Sequence, residues 1–229
     1  MLDLHCHSTF SDGLLSPEEL LQKALNRGLK YLSLTDHDTL AGYPRLMQAA
    51  SQTSITIVPG VELSTRWKKH DLHILGYHVQ ATPNFNQVLE AQNTSRIKRA
   101  QDIGALLELA GVHDAYEKAC SLAGHKHIGR VHFAKVLMQE GRVREMQPAF
   151  TQFLGRGKRA YVPTSWISMQ EAVEGITESG GQAVIAHPLK YGLTRSKLHE
   201  LIKDFKEVGG LGIEVVSGDM TVTHIREMA

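Results

Sequence analysis

The sequence predicts an α/β fold with a mostly parallel sheet or barrel, and two observations carry that expectation. Short strand-like apolar runs alternate with segments of helical period over the first third of the chain and again toward its end. Several of those runs also deliver an imidazole or a carboxylate at or near one end, the edge where α/β folds assemble their chemistry.

Taken in order, residues 2–7 ("LDLHCH") read as a strand, and Ser11-Asp12-Gly13 as the turn beyond it. Side chains two apart on a strand share a face, so His5 and His7 point together and Cys6 points away. Ser16 to Arg27 is a helix with Ser16 as N-cap, Pro17 at its first position and Gly28 as its stop. "LKYLSLTDHD" is a strand running into an acidic, histidine-bearing loop, residues 40–52 are a helix, and "ITIVPGVELS" and "HDLHILGYHV" are two further strands. From Pro83 the pattern turns helical. "FNQVLEAQNTSRIKRAQDIGALLELAG" is long enough for one helix that Gly104 interrupts cheaply and Gly111 ends, and "GRVHFAKVLMQEG" and "MQPAFTQFLGRG" are two shorter helices. Residues 83–160 are therefore expected to be a helical insertion between two parts of one domain, 1–82 and 161–229. In the second part a helix at 168–179, the strand "QAVIAHP", a helix at 196–208 and the strand "GIEVV" restore the α/β alternation.

Composition narrows the function classes. With 229 residues the chain can bury a sizeable core, and 25 basic against 24 acidic side chains leave no global charge for duplex DNA. Two cysteines are too few for a disulfide framework, no signal-peptide pattern opens the chain, and no run of about 18 apolar residues spans a bilayer; the cytoplasm is the expected location and no membrane partner is expected. Thirteen histidines are the anomaly.

Many of those histidines stand with carboxylates on the strands. His5, His7 and Asp12 follow the first, His37 with Asp36 and Asp38 the second, Glu62 lies on the third, His73 on the fourth, and His187 follows a later one. One His-Xaa-His pair is weak evidence, and "TDHD" alone could cap a helix. Together, on five strands, they predict a metal cluster. Imidazole and carboxylate without thiolate suit Zn, Fe or Mn, and two ions about 3.5 to 4 Å apart can clamp a phosphoryl group and activate water for in-line attack. No Gly-rich phosphate loop, nucleophile elbow or Cys-Xaa-Xaa-Cys site supports another chemistry.

"DLHCHSTFSDG", "LSLTDHDTLAG", "IVPGVELS", "HDLHILGYHV" and "GGQAVIAHP" resemble, in order, the motifs of the PHP (polymerase and histidinol phosphatase) family. Within it the likeness is to bacterial phosphoesterases acting on nucleoside 3',5'-bisphosphates and on the 5' ends of short RNA, which also carry a helical insertion. The resemblance implies a distorted (β/α)7 barrel with up to three divalent ions, manganese first and iron or zinc as alternatives. It places His5, His7, Asp12, His37, Glu62, His73 and His187 on the ligand positions, with His5, His7, Asp12, His37, Glu62 and His187 carrying catalysis. Strand parity sets His73 apart from its neighbours His70 and His78. Family members end on a further Gly-Ser-Asp-Xaa-His motif; the sequence stops at Ala229 without it, and Asp219 and His224 are not assigned to it, so part of the barrel and of the metal set is expected to be missing.

The resemblance implies a small nucleotide or short oligonucleotide as substrate. Arg130, His132 and Lys158 are the candidate phosphate-holding residues, Asp3, Asp36, Asp38 and Glu214 the candidates to orient ligand imidazoles, and Trp67 or Trp166 could stack on a base. The run "SRIKRAQ" reads as a charged helix face. Alternatives are a histidinol-phosphatase-like enzyme, which would not need the insertion, and a non-catalytic PHP module binding metal or a partner.

Overall fold

The computed structural model describes residues 1–218, 221, 223 and 226. Three strands, β1 (Leu2–Cys6), β2 (Tyr31–Leu34) and β3 (Thr56–Ile57), form a parallel sheet in that order. The connections between them carry α1 (Pro17–Asn26) and α2 (Tyr43–Ala50). Ser16 starts α1 through a capping box: its Oγ accepts from Glu19 N at 3.2 Å, and the Glu19 carboxylate accepts from Ser16 N at 2.7 Å. Leu21, Leu32, Leu34 and Leu46 bury the seam between these helices and the sheet.

The second sheet adds one reversed strand to the expected mostly parallel pattern. Its members β4 (Gly60–Trp67), β5 (His70–Tyr77), β6 (Ile167–Ser168), β7 (Gln182–Ile185) and β8 (Gly212–Ile213) lie in the order β6-β4-β5-β7-β8, and β5 runs antiparallel to both neighbours. Only Lys68 and Lys69 separate β4 from β5, with Lys68 at φ 53°. Two residues close a hairpin, whereas a parallel crossover needs about a dozen. The expected strand "ITIVPGVELS" is likewise divided between the sheets. Pro59 has no N–H to give a ladder, and the chain leaves β2's edge there to enter β4. Among the described residues one isolated parallel bridge, His37 to Glu62, joins the two sheets, and no closed barrel forms. The fold is mixed α/β.

Residues 83–160 carry α3 (Pro83–Leu109), α4 (Ala115–Ala123), α5 (Arg130–Gln139) and α6 (Met146–Ala149), the last running into a wider turn at Phe150–Leu154. The sequence reading left α4 unassigned; it is short, and Gly124 ends it at φ 75°. The buried stripe of α3 is apolar at both ends and polar in the middle. Phe85 and Leu89 join the core under β4, β5, α7 (Met169–Glu178) and α8 (Arg195–Glu207), whereas Ala100, Ile103 and Leu107 join a second core with Phe133, Leu137 and Leu154. Between them Gln92, Arg96 and Arg99 are buried. No helix among the described residues is long and apolar enough to cross a membrane.

His132, 4% exposed in α5, accepts a hydrogen bond from Gly129 N on Nδ1 at 3.0 Å, which requires the neutral ring. Burial first, then the nearby Lys135 charge, pushes its pKa from 6.5 down to about 4. The unfolded chain therefore binds a proton that the folded chain refuses between those two values. Stability from this group is complete above pH 6.5 and lost as pH falls toward 4, by up to about 3 kcal/mol. Urea denaturation of His132→Gln against the parent, from pH 7 to about pH 4, is expected to show a shallower decline in the variant; parallel declines would refute the assignment.

Candidate metal centre

The turn after β1 is bolted down before it presents any ligand. Asp36, 1% exposed, accepts from Ser8 N at 2.7 Å, Ser8 Oγ at 2.6 Å and Ser11 Oγ at 2.6 Å. Gly13 has to be glycine, because a Cβ there would stand 2.1 Å from the His7 carbonyl oxygen. Thus held, the turn sets Asp12 Oδ1 3.5 Å from His7 Nδ1 and Asp12 Oδ2 3.7 Å from His37 Nε2. His5 and His7 share a face, their rings 5.3 Å apart. Cys6 points away as strand alternation requires, its Sγ donating to Ser33 O at 3.3 Å.

Glu62 is the centre of the cluster. It is 1% exposed, and its Oε1 lies 2.9 Å from His73 Nδ1, 2.9 Å from His187 Nε2 and 3.4 Å from His5 Nε2. Its Oε2 lies 3.1 Å from His7 Nε2 and 3.1 Å from His37 Nδ1. Five imidazoles thus surround one buried carboxylate. His73 and Glu62 stand within their strands rather than at the ends, because the hairpin brings β4 and β5 alongside. Of its neighbours, His70 lies against Trp67 with rings 5.8 Å apart, and His78 is exposed.

The donor set fits divalent metal. His5, Glu62 and His187 offer one group of ligand atoms and His7, His37 and Glu62 a second, each within 4.8 Å of one another. Among the described residues, buried His37 Nδ1 and His187 Nδ1 have no hydrogen-bond partner, although His37 Nδ1 lies in ion-pair range of Glu62. Burial opposes charge on Glu62, yet His37 and His73 foremost among its neighbours hold its carboxyl well below the usual range. Burial likewise disfavours the His5 imidazolium, but hydrogen bonds to Glu214 and Glu62 carry its pKa up to about 10. Burial instead holds His37 well below the ordinary imidazole value, in the neutral form a metal ligand needs.

Asp3, Asp36 and Asp38 do not orient the imidazoles as the sequence suggested, because their carboxylates are committed to the backbone and to other side chains. Asp3 Oδ1 accepts from His5 N at 3.2 Å. Asp38, at φ 52°, accepts from Ser64 N at 2.7 Å, Ser64 Oγ at 2.8 Å, Gln92 Nε2 at 3.0 Å and the Arg96 guanidinium. Asp38 N also donates to Glu62 O at 2.9 Å, so this carboxylate fixes the join between the His37 loop and β4. Glu214 holds the imidazole-orienting role: its Oε1 is 3.1 Å from His5 Nδ1 and its Oε2 accepts from His187 N at 2.6 Å.

The pocket, about 300 Å³, is lined by His5, His7, Asp12, His37, Glu62, His73 and His187 together with Lys190, Glu214, Ser217 and Gly218. Sequence reasoning missed Lys190, although it stands three residues beyond His187, on the single turn Pro188–Tyr191. Arg130, His132 and Lys158 do not line it. Arg130 donates to Val162 O at 3.0 Å and lies over the Tyr161 ring, His132 is buried in α5, and Lys158 is exposed. Trp67 is buried and donates to Asp204 at 2.8 Å, and Trp166 stacks on Arg96 and Arg99. Asp219 and His224 lie outside the described residues.

The family model for the PHP domain matches residues 3–154. The chain is 43% identical over 220 residues to a 5'-3' exoribonuclease of Haemophilus influenzae, covering 96% of this chain and 80% of the relative. It is 38% identical over 230 residues to a 3',5'-nucleoside bisphosphate phosphatase of Chromobacterium violaceum, covering 100% and 81%. A solved C. violaceum structure, described as an amidohydrolase with bound sulfate and no metal, superposes with a TM-score of 0.95 at 38% identity, over 99% of this chain and 80% of that one. A second, from Bifidobacterium adolescentis, shares the fold with a TM-score of 0.87 at 23% identity, over 99% and 81%.

Arg96→Met leaves Asp38 charged and buried without its cation, and is expected to lower unfolding free energy by about 3 kcal/mol in urea titration. A loss under about 1 kcal/mol would show that the ion pair does not hold the loop.

Proposed function

Because the chain belongs to the PHP domain family, we propose that it is a metal-dependent phosphoesterase that hydrolyses the 3'-phosphate of nucleoside 3',5'-bisphosphates and trims short RNA from the 5' end. The observation that carries this reading is the convergence of five imidazoles and Asp12 around buried Glu62, in an open pocket of about 300 Å³. The kinship supports it. Relatives at 38% and 43% identity over nearly the whole chain bear those two activities as names.

In this reading His5, Glu62 and His187 hold one ion, His7, His37 and Glu62 a second, and Asp12 and His73 complete the set, which takes up to three ions with manganese as the first candidate. When bound, divalent ions polarise a phosphoryl oxygen and acidify water. The protein's own part is placement. Glu214 fixes the His5 ring and the His187 backbone, and Asp38 fixes the His37 loop against β4, so the ligand atoms are set before substrate arrives. Lys190 adds a cation to the pocket wall, where a phosphate dianion would be held. Among the expected substrate residues, His132 has the shortest link to the centre: its ring is 6.0 Å from that of His125, which bonds Thr9 O in the loop between His7 and Asp12. Arg130 and Lys158 would serve only a substrate that extends past the pocket wall. The two sheets, in this reading, are parts of a distorted seven-stranded barrel from residues 1–82 and 161–229, with residues 83–160 as its helical insertion.

Phosphate release from adenosine 3',5'-bisphosphate with added Mn²⁺ tests the proposal. The parent chain is expected to release phosphate, and His7→Ala and Glu62→Gln to fall to background while losing bound metal by elemental analysis. Full activity in either variant would sink the site assignment, and no release by a metal-loaded parent would sink the substrate.

A further inference from the structure

On α3 a second small pocket stands apart from the metal centre, and it is lined by an arginine whose Nε has no hydrogen-bond partner among the described residues. Its volume is about 110 Å³, and it is lined by Ser95, Lys98, Arg99 and Asp102 of α3 with Thr164 and Ser165 of the segment before β6 among the facing residues. Arg99 is 5% exposed, its Nε is buried with no hydrogen-bond partner, and it forms no ion pair among the described residues. Thr164, 7% exposed, likewise has a buried Oγ1 without a partner. Lys98 and Asp102 pair with each other at 3.4 Å on the rim, and the carboxylates that favour the Arg99 cation, Asp38 and Asp71, are themselves paired with Arg96 and Arg66.

Such an arrangement is costly for an empty pocket. A guanidinium carries five N–H donors and stays charged in proteins, and burying it without an acceptor is unfavourable. Burial first, then the charges of Arg96 and Arg130, acts against Arg99's proton, while Asp38 and Asp71 favour it. The face of Trp166 lies against Arg99, 4.7 Å from the guanidinium carbon to the ring centre; Arg96 lies on the same ring at 5.1 Å. That contact uses the flat of the guanidinium and leaves its N–H fork open.

We propose that this pocket is a binding site for a tetrahedral oxyanion of the phosphate class, with the Arg99 fork and the Thr164 hydroxyl as its donors and Lys98 at its mouth. The size selects the ligand. About 110 Å³ accepts a phosphate group and is well below the roughly 300 Å³ at which pockets for larger organic ligands begin, so a nucleoside does not enter. The proposal does not rest on the reading of the metal centre. Two sources share the chemistry, free inorganic phosphate and the terminal phosphate of a nucleotide, and they are separable by titration.

Trp166 is a built-in reporter, because the chain has two tryptophans and Trp67 can be replaced by Phe. In the full chain carrying Trp67→Phe, inorganic phosphate is expected to change Trp166 emission saturably at millimolar concentration or below, equally with metal loaded and with metal chelated. Arg99→Gln is expected to weaken binding at least tenfold and Thr164→Val several-fold, with far-UV circular dichroism unchanged. Adenosine 5'-monophosphate that binds more tightly than phosphate, while adenosine does not bind, assigns the site to a terminal phosphate; phosphate binding as well as or better than the nucleotide assigns it to the free ion. The proposal is overturned by no saturable response, by an equal response in Arg99→Gln, by loss of the response on chelation, or by the same response to chloride at matched ionic strength, which would mean an adventitious ion only.

Discussion

A single buried carboxylate organises this protein. Glu62 sits on β4 almost wholly buried and is stable as an anion because five imidazoles from β1, the loops after β1, β2 and β7, and β5 point at it. Removing a charge from water costs more than one partner returns, so each element must arrive in register for the others to be tolerable. The fold is largely a means of bringing those chain segments to one point. The connections that look incidental, Asp36 on the Ser8–Ser11 turn and Asp38 on Ser64, keep the loops from relaxing away from that charge.

α3 shows how the helical segment is tied to this arrangement. Its buried stripe would be an ordinary apolar seam but for the middle turns, where Gln92 and Arg96 reach Asp38 and Ser64. The apolar ends hold the helix on two separate cores, and the polar centre is thereby pressed against the loop that follows His37. Hydrophobic burial positions the helix; the ion pair with Asp38 uses that position to fix a ligand loop.

What could be read from the sequence follows the range of the interactions. His5 and His7 were legible because strand alternation is local, and Ser16 and Gly111 because helix ends carry their own signals. Glu62, His37 and His187 were legible as a set, through recurrence at strand positions and through family motifs. The antiparallel β4–β5 pair could be read only from the short link between the expected strands, Thr65 to Lys69, which is too brief for a parallel crossover, because Lys68-Lys69 lacks the usual hairpin residues. The partners of Asp36 and Asp38 were hidden: both look like imidazole orienters beside His37, and only three-dimensional contact shows that Ser8, Ser11, Ser64 and Arg96 claim them. Arg99 was concealed within "SRIKRAQ", where one face of a charged run turns inward.

The isolated bridge between His37 and Glu62 has a consequence at a different scale. The two sheets are joined there and where Tyr77 Oη donates to Leu4 O at 3.0 Å, so the spacing of the ligand nitrogens follows how the sheets are set against each other. A change in packing far from the centre that tilts one sheet would therefore alter that spacing. Chains with identical ligand residues but different distant cores would on this ground hold the same nitrogens at different spacings.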